Sequence, residues 1–312
     1  MLRYVARRIP SLLIVWATAL VITFLALQAI PGDPVSIMLS DRSGDAELEA
    51  RLRTAYGLDR SLPVQFLSYL GGIADGSFGL SYRYVGATVW SVISGGLAIT
   101  PVLALSALVI AVPLGLFFGV FTATRAGSWA DTGILVALVS LISVPSFALA
   151  AFLVWVLAVR LQLLPVAGWG SPLQMVLPLI VLVVGPVAGI ARQVRTYMLE
   201  VLGRDFIRTA RAKGVRARMV VWKHALGNTM VPLVTSIGLI FGGLLSGAFV
   251  VETIFNIPGL GRLAIDSVLA RDYPVTLTVV LLFTIFYSLI NLAVDLLYAL
   301  VDPRIRLDGE GA

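Results

Sequence analysis

Few side chains in this sequence could do chemistry, and their types already restrict what kind. His224 is the single histidine and cysteine is absent. Disulfides and thiolate metal sites are therefore excluded. A metal centre would have to be built from carboxylates, and no suitable cluster of them occurs in the sequence. No serine, cysteine or carboxylate pair stands beside His224, so it reads as a structural hydrogen-bonding residue and not as a catalyst. Neither G-x-x-x-x-G-K-S/T nor G-x-G-x-x-G occurs, so the chain has no nucleotide loop of its own. If ATP drives it, a partner must supply the ATPase.

Three further sets of residues stand out. Asp295 is a carboxylate within an apolar stretch, which makes it a functional candidate by default. It lies nine residues before Arg304 and one turn after Asn291, so gating and structural pairing near an interface are both open. Glycines recur at four-residue spacing: Gly115/Gly119, Gly185/Gly189, Gly238/Gly242 and Gly243/Gly247. Such spacing lets helix backbones approach closely in lipid. In the densest run, Gly238, Gly242, Gly243, Ser246 and Gly247 occupy more than one face, which suits either a tight subunit contact or a helix lining a passage, as gating or helix-packing residues. The third set is Asp205-Phe-Ile-Arg-Thr-Ala-Arg-Ala-Lys-Gly214, acidic at its start, basic at its end and stopped by glycine. It reads as a short helix with Gly214 at positive φ, followed by a second helix over Arg216–Leu226. Together they form a two-helix knuckle.

The elements that must hold these residues follow from composition. Of the 312 residues, 59% are hydrophobic and 13% charged, with a mean hydropathy of +0.97. Soluble domains carry about 25% charged residues. The surplus apolar surface must face lipid, which excludes a soluble enzyme, a nucleic-acid binder and a disordered chain. Spanning helices need about 20 apolar residues, and six stretches qualify: Ile9–Ile30, Ala98–Ala123, Thr132–Val159, Met175–Ala191, Thr229–Val251 and Pro274–Val301. The first is longer than a signal h-region and is followed by Pro31-Gly32-Asp33-Pro34, without a small-residue cleavage site. It reads as a retained helix. Prolines inside the third and fourth spans, Pro145, Pro178 and Pro186, suit a moving pathway. The reading is an all-α integral membrane protein, one domain over 1–312.

With the amino end inside, 15 of the 23 Lys and Arg fall in inside segments, mostly between Arg192 and Lys223. Lys/Arg excess marks the cytoplasmic side, so both termini are expected there. The 31–97 segment then lies outside as a small folded cap, with a helix over Asp45–Gly57 and an apolar stretch over Val64–Ile73. The 192–228 segment lies inside, beside anionic lipid.

The knuckle resembles the EAA loop of permease subunits of ATP-binding-cassette (ABC) importers. It is most similar to the peptide/nickel class, D-Y/F-V/I-R-T-A-R/K-A-K-G followed by H-x-L-x-N-x-x-x-P, here Asp205–Gly214 and then His224, Leu226, Asn228 and Pro232. Arg208-Thr209 replaces the general Glu-Ala while Ala210 and Gly214 remain, as is typical of that class. Tyr4-Val-Ala-Arg-Arg8, Pro31-Gly-Asp-Pro34, Tyr56-Gly-Leu-Asp59, Pro63, Gly76-Ser-Phe-Gly79, Glu252–Gly261 and Asp302-Pro-Arg-Ile-Arg306 extend the resemblance along the chain. They resemble the first of the class's two paired oligopeptide/dipeptide permeases. Ser77 stands where Asp or Asn is more usual.

The resemblance implies the six-helix importer permease fold in the cell membrane and a conduit, not an enzyme. It implies as partners a homologous second permease, two cytoplasmic ATPases that use ATP and magnesium, and an external solute-binding protein, with membrane lipid around them and no nucleic acid. It assigns ATPase coupling to Asp205, Arg208, Thr209, Ala210, Lys213 and Gly214, with His224, Asn228 and Pro232 as support. The substrate would be a peptide or a related small solute, and relatives that handle nickel, glutathione and oligosaccharides leave it open. An autonomous ion-coupled carrier is the alternative, although Asp295 is nearly alone and the two halves show no repeat. An intramembrane hydrolase would need a Ser–His or metal pair that the spans lack.

The charge sorting makes a direct test of topology possible. Tags after Ala312 and within the Arg195–Arg218 loop should be protected from external protease, and a tag near Asp45 should be cut. The opposite pattern would reverse the orientation.

Overall fold

The computed structural model describes residues 2–32, 34–39 and 46–301. Asp33, Asp45 and the Asp302–Arg306 string lie outside the described residues. In chain order the helices are α1 (Leu2–Ala29), α2 (Pro34–Leu39), α3 (Ala46–Ala55), α4 (Leu62–Ala74), α5 (Val89–Ile93), α6 (Ile99–Thr124) and α7 (Trp129–Ser143). There follow α8 (Ser146–Leu153), α9 (Pro172–Leu202), α10 (Asp205–Ala212), α11 (Ala217–Met219), α12 (Leu226–Ile254), α13 (Leu260–Leu269) and α14 (Tyr273–Val301). Two π-helical stretches, Val154–Arg160 and Val220–Ala225, extend α8 and lead into α12.

Among the described residues, five helices are long and apolar enough to cross a membrane: Val5–Ala29, Ile99–Thr124, Pro172–Leu202, Pro232–Ile254 and Tyr273–Leu296. The third expected span differs from the reading of one helix over Thr132–Val159. It is a bent pair, Trp129–Ser143 and Ser146–Arg160, turned by 96°. Pro145 is the cause. Its ring disfavours the α conformation at the preceding residue, and Val144 accordingly sits at φ −80, ψ 121. By contrast Pro178 and Pro186 are carried inside α9 without ending it. The fourth span also runs on past Ala191 to Leu202, so residues 192–202 continue a helix.

The chain forms two compact units. One holds Val5–Thr100 and Pro258–Ser288. Here α14 presents apolar residues at four-residue steps on two faces. Tyr273, Leu277 and Leu281 pack with Leu20, Phe24 and Leu27 of α1 and Tyr69 of α4. Val275 and Val279 pack with Val89, Ile93 and Leu260. This is the i, i+4 pattern of a helix buried between neighbours.

Polar bonds tie Tyr69 and the Ser81–Arg83 stretch to α14 and the residue ahead of it. Asp272, just ahead of α14 and 1% exposed, accepts from the Ser81 hydroxyl, from the Tyr82 N–H at 3.0 Å and from the Arg83 N–H at 3.2 Å. Tyr69 Oη and Thr278 Oγ1 lie 3.0 Å apart. Burial pushes the Tyr69 phenol up to about 12, against a smaller downward pull from Thr278. Burial, and then the Asp272 charge, raise that of Tyr82. Both tyrosines therefore stay neutral hydrogen-bonding groups through the physiological range. The expected helix at Asp45–Gly57 is α3, with Arg51–Glu47 at 2.6 Å and Arg53–Glu49 at 2.9 Å. Gly57 ends it at φ +66.

The second unit holds Pro101–Ile257 and the last turns of α14. Its centre is α9, which packs against α7, α8 and α12. Gly115 and Gly119 of α6 allow close approach to α9. A Cβ at Gly119 would lie 2.5 Å from Val194 Cβ and 2.7 Å from the Ala191 carbonyl oxygen, and one at Gly115 2.6 Å from Ile190 Cβ. Gly119→Val should therefore force these helices apart at a penalty of about 1–3 kcal/mol. Gly133→Ala, where nothing lies within 4 Å of the new Cβ, should be neutral or slightly stabilising. Thermal unfolding of the purified proteins reads the difference, and equal melting temperatures would contradict the close-approach role of Gly119.

Candidate functional site

The knuckle is built from one capped helix on one apolar anchor. In α10 Ile207 is fully buried and Ala210 half-buried, while Asp205, Phe206, Arg208, Thr209, Arg211 and Ala212 are exposed. A single inward row thus holds the helix and leaves most of its circumference open. Gly214 has φ +76. Its N–H bonds the Arg211 carbonyl at 3.0 Å and the Val215 N–H bonds the Ala210 carbonyl at 3.1 Å. This is the Schellman pair, in which glycine takes the left-handed position without steric penalty. A Cβ at Gly214 would meet nothing within 4 Å. Substitution there is resisted by φ and not by space. The Arg208–Asp205 pair, 3.4 Å apart and largely exposed, adds little.

Beyond Gly214, α10 packs on the π stretch Val220–Ala225. A π turn widens the helix and leaves carbonyls without their usual partners. Asn228 Nδ2 donates to the His224 carbonyl at 2.6 Å where that stretch passes into α12. His224 thus serves this contact through its backbone. Pro232 lies inside α12. The expected coupling helix therefore packs on the Val220–Ala225 stretch that holds His224, while Asn228 and Pro232 lie further on, in the α12 helix into which that stretch leads.

A second feature is an apolar groove of about 430 Å³ between the α7–α8 bend, α9 and α12. Pro145, Leu149, Gly185, Gly243 and Gly247 are among its lining residues. The expected glycines separate by face. Gly238 and Gly242 are buried, and a Cβ at Gly238 would lie 2.2 Å from Val294 Cγ2. Gly243 and Gly247 are exposed to the groove with nothing within 4 Å of an added Cβ. Asp295 is half-buried at the end of the apolar stretch Tyr273–Leu296 and does not line the groove.

Residues 111–307 match the family described as binding-protein-dependent transport system inner membrane component, and residues 1–100 match its amino-terminal companion. The chain belongs to this family. It is 37% identical over 311 residues to the dipeptide transport system permease protein DppB of Bacillus subtilis, covering 100% of both chains. It is 41% identical over 306 residues to the glutathione transport system permease protein GsiC of Escherichia coli K12, covering 98% of this chain and 99% of that one. A chain of the MetNI methionine ABC transporter, in an inward-facing conformation, shares the fold with TM-score 0.57 at 23% identity, over 68% of this chain and 96% of that one. The protein is thus a multi-pass permease subunit of an ABC-type transport system. The autonomous carrier alternative finds no support in these relatives.

Within this permease the sequence reading missed the strongest polar contact near the knuckle. It took Asp295 as the main charge inside the spans, whereas Asp131 and Arg195 also lie on span helices. Arg195 of α9 meets Asp131 of α7 side-on, Nε to Oδ1 at 2.8 Å and Nη2 to Oδ2 at 2.7 Å. Asp131 also accepts the Gly127 N–H at 3.0 Å, and its own N–H bonds the N-cap Ser128 Oγ at 3.2 Å. The side chains are 3% and 24% exposed for Asp131 and Arg195. The two residues stand far apart in sequence, and both lie near span ends where charge is ordinary. The Ser128–Asp131 cap was the one available signal, and it names no partner.

Asp131→Asn or Arg195→Gln should each destabilise the protein by about 2–4 kcal/mol, because the remaining charge stays partly buried without its counterpart. The double variant Asp131→Asn with Arg195→Gln should lose less than the sum of the two, because neither charge is then left without its counterpart. Thermal unfolding of the single and double variants checks the coupling, and strictly additive losses would refute it.

Proposed function

We propose that this permease forms half of the path through which an ATP-driven importer carries small peptides or a glutathione-like solute into the cell. Its partners in this reading are a homologous second permease, two cytoplasmic ATPases that use ATP and magnesium, and an external solute-binding protein. Both termini and the 192–228 segment face the cytoplasm, and the 31–97 segment caps the outer face. The end-to-end likeness to dipeptide and glutathione permeases supports the substrate class. Such solutes are small, flexible and zwitterionic or anionic, and a groove lined by apolar side chains and bare glycine backbone would offer them few fixed charges on which to stall.

One observation carries the coupling role: α10 is anchored through Ile207 and open around most of its surface. An isolated eight-residue helix is marginal, so a helix held this way is positioned to be covered by another protein. Asp205, Arg208, Thr209, Ala210, Lys213 and Gly214 make up that contact. His224, Asn228 and Pro232 support it by shaping the start of α12. Force on α10 reaches α9 through the short turn at Gly203. It passes from α9 to α7 through Arg195–Asp131, and α7 ends at the Pro145 bend beside the groove. Closure of the ATPases would thereby move the groove wall between two packings. Gly243 and Gly247 give room for that movement, Gly238 and Gly242 hold the helix behind it, and Asp295 acts as a structural residue at the end of α14.

Gly214→Val and Ala210→Trp test the reading. A β-branched residue at φ +76 is strained by about 1–3 kcal/mol, and an indole on the exposed edge of α10 would block a docked surface. Both variants should insert normally, with uptake reduced at least tenfold and binding-protein-stimulated ATP hydrolysis lost. Uptake should likewise stop when the companion ATPases are inactivated. Normal uptake and ATPase association in both variants would end the coupling role, and uptake that survives ATPase inactivation would end the ATP-driven reading.

A further inference from the structure

A second groove, of about 290 Å³, lies between the end of α6 and the chain that leaves the knuckle. Its walls include Phe117, Phe121 and Arg125 from the first side and Arg218, Val221 and Trp222 from the second. None of its lining residues is acidic. Phe117 and Trp222 are 54% and 49% exposed, although the groove belongs to neither the α9 core nor the exposed face of α10.

Its chemistry changes along its length. The spanning part of α6 ends at Thr124, so Arg125 stands where hydrocarbon gives way to headgroups. Phe121 and Phe117 lie one and two turns deeper, with ring centroids 6.2 Å apart. The Arg125 guanidinium carbon sits 3.9 Å from the Phe121 ring centroid. That cation–π contact holds the charge over the apolar floor instead of releasing it to water. Arg218 brings a second guanidinium to the groove, and neither arginine forms an ion pair among the described residues. Trp222 adds an amphipathic ring of the kind that favours the membrane interface.

We propose that this groove binds one anionic phospholipid, with its phosphate between Arg125 and Arg218 and an acyl chain along Phe117, Phe121 and Val221. Guanidinium forks match phosphate oxygens in pairs, and basic pockets between spanning helices suit anionic headgroups. A zwitterionic lipid would bring the same phosphate together with a cation, which the two arginines repel. An acidic protein surface could neutralise the arginines but would leave the apolar floor unfilled. The site is separate from the open face of α10, so it stands or falls independently of the coupling role.

Photo-crosslinking tests the proposal on the full chain assembled with its partners in vesicles. The probes are phosphatidylglycerol and phosphatidylcholine, each carrying a diazirine on one acyl chain, and labelled peptides are identified by mass spectrometry. Phosphatidylglycerol should label the Phe117–Arg125 and Ala217–Trp222 segments at least fivefold more than phosphatidylcholine, since each arginine near the headgroups contributes roughly a fivefold preference. Arg125→Gln with Arg218→Gln should bring the ratio to about one. Labelling around the exposed α1 residues Ile14 and Ile22 should stay unchanged, reporting intact insertion. Arg192→Gln, an exposed charge outside the groove, should leave the preference in place. Equal labelling by the two lipids, or a preference that survives the double variant, would overturn the site. So would labelling found only when the ATPases are absent, since a protein surface would then occupy the groove.

Discussion

A chain in lipid has no water to satisfy its backbone, and that constraint organises this structure. Every peptide N–H and C=O at membrane depth needs a partner within the protein, which leaves helices as the available element. What distinguishes one part of the molecule from another is therefore where helices end, bend or widen. The Pro145 bend borders the larger groove, the Val220–Ala225 π turn supports α10, and the knuckle is itself a pair of helix ends. The candidate functional elements lie where the regular ladder is interrupted.

The helix ends solve the same problem with different residues. Gly57, Gly214, Asn256 and Arg271 all occupy positive φ just past a helix, at +66, +76, +52 and +54. In each case paired backward hydrogen bonds close the final turn, as in Asp272 N–H to the Ser267 carbonyl at 2.8 Å and Arg271 N–H to the Val268 carbonyl at 3.1 Å. Glycine does this without strain and asparagine with little. Arginine does so against its own preference, and it is held by a long-range bond from Arg271 Nη2 to the Pro31 carbonyl at 2.6 Å. The strained end is stabilised by tertiary contact.

Buried charge follows a common rule in the two compact units. Asp131 lies in the first turn of α7 and Asp272 directly precedes α14, and both are nearly inaccessible. Asp131 accepts one backbone N–H and Asp272 two, and each also accepts a side-chain donor, from Arg195 and Ser81 respectively. The positive ends of the helix dipoles add to these bonds. Together they offset desolvation that would otherwise keep a carboxylate out of such sites.

Much of this was legible in the sequence because it depends on local chemistry or on period. Apolar runs located the spans, Gly57 and Gly214 marked helix ends, the Asp205–Gly214 pattern specified a short capped helix, and ordered motifs pointed to the permease family. Single-sequence reading failed where the decisive partner is distant. It ran the third span through Pro145, because it could not weigh one local break against a continuous apolar pattern. It could not assign the glycines to faces: Gly238 and Gly243 share the same type and the same helix, yet one meets Val294 and the other a groove. It also missed Asp131 with Arg195, since nothing within a helical turn of either residue names the other. Residue type and spacing determined where helices form and stop. Only the packing of helix on helix decided which side chains meet, because such contacts depend on how separate helices rotate and approach, and no local pattern encodes that.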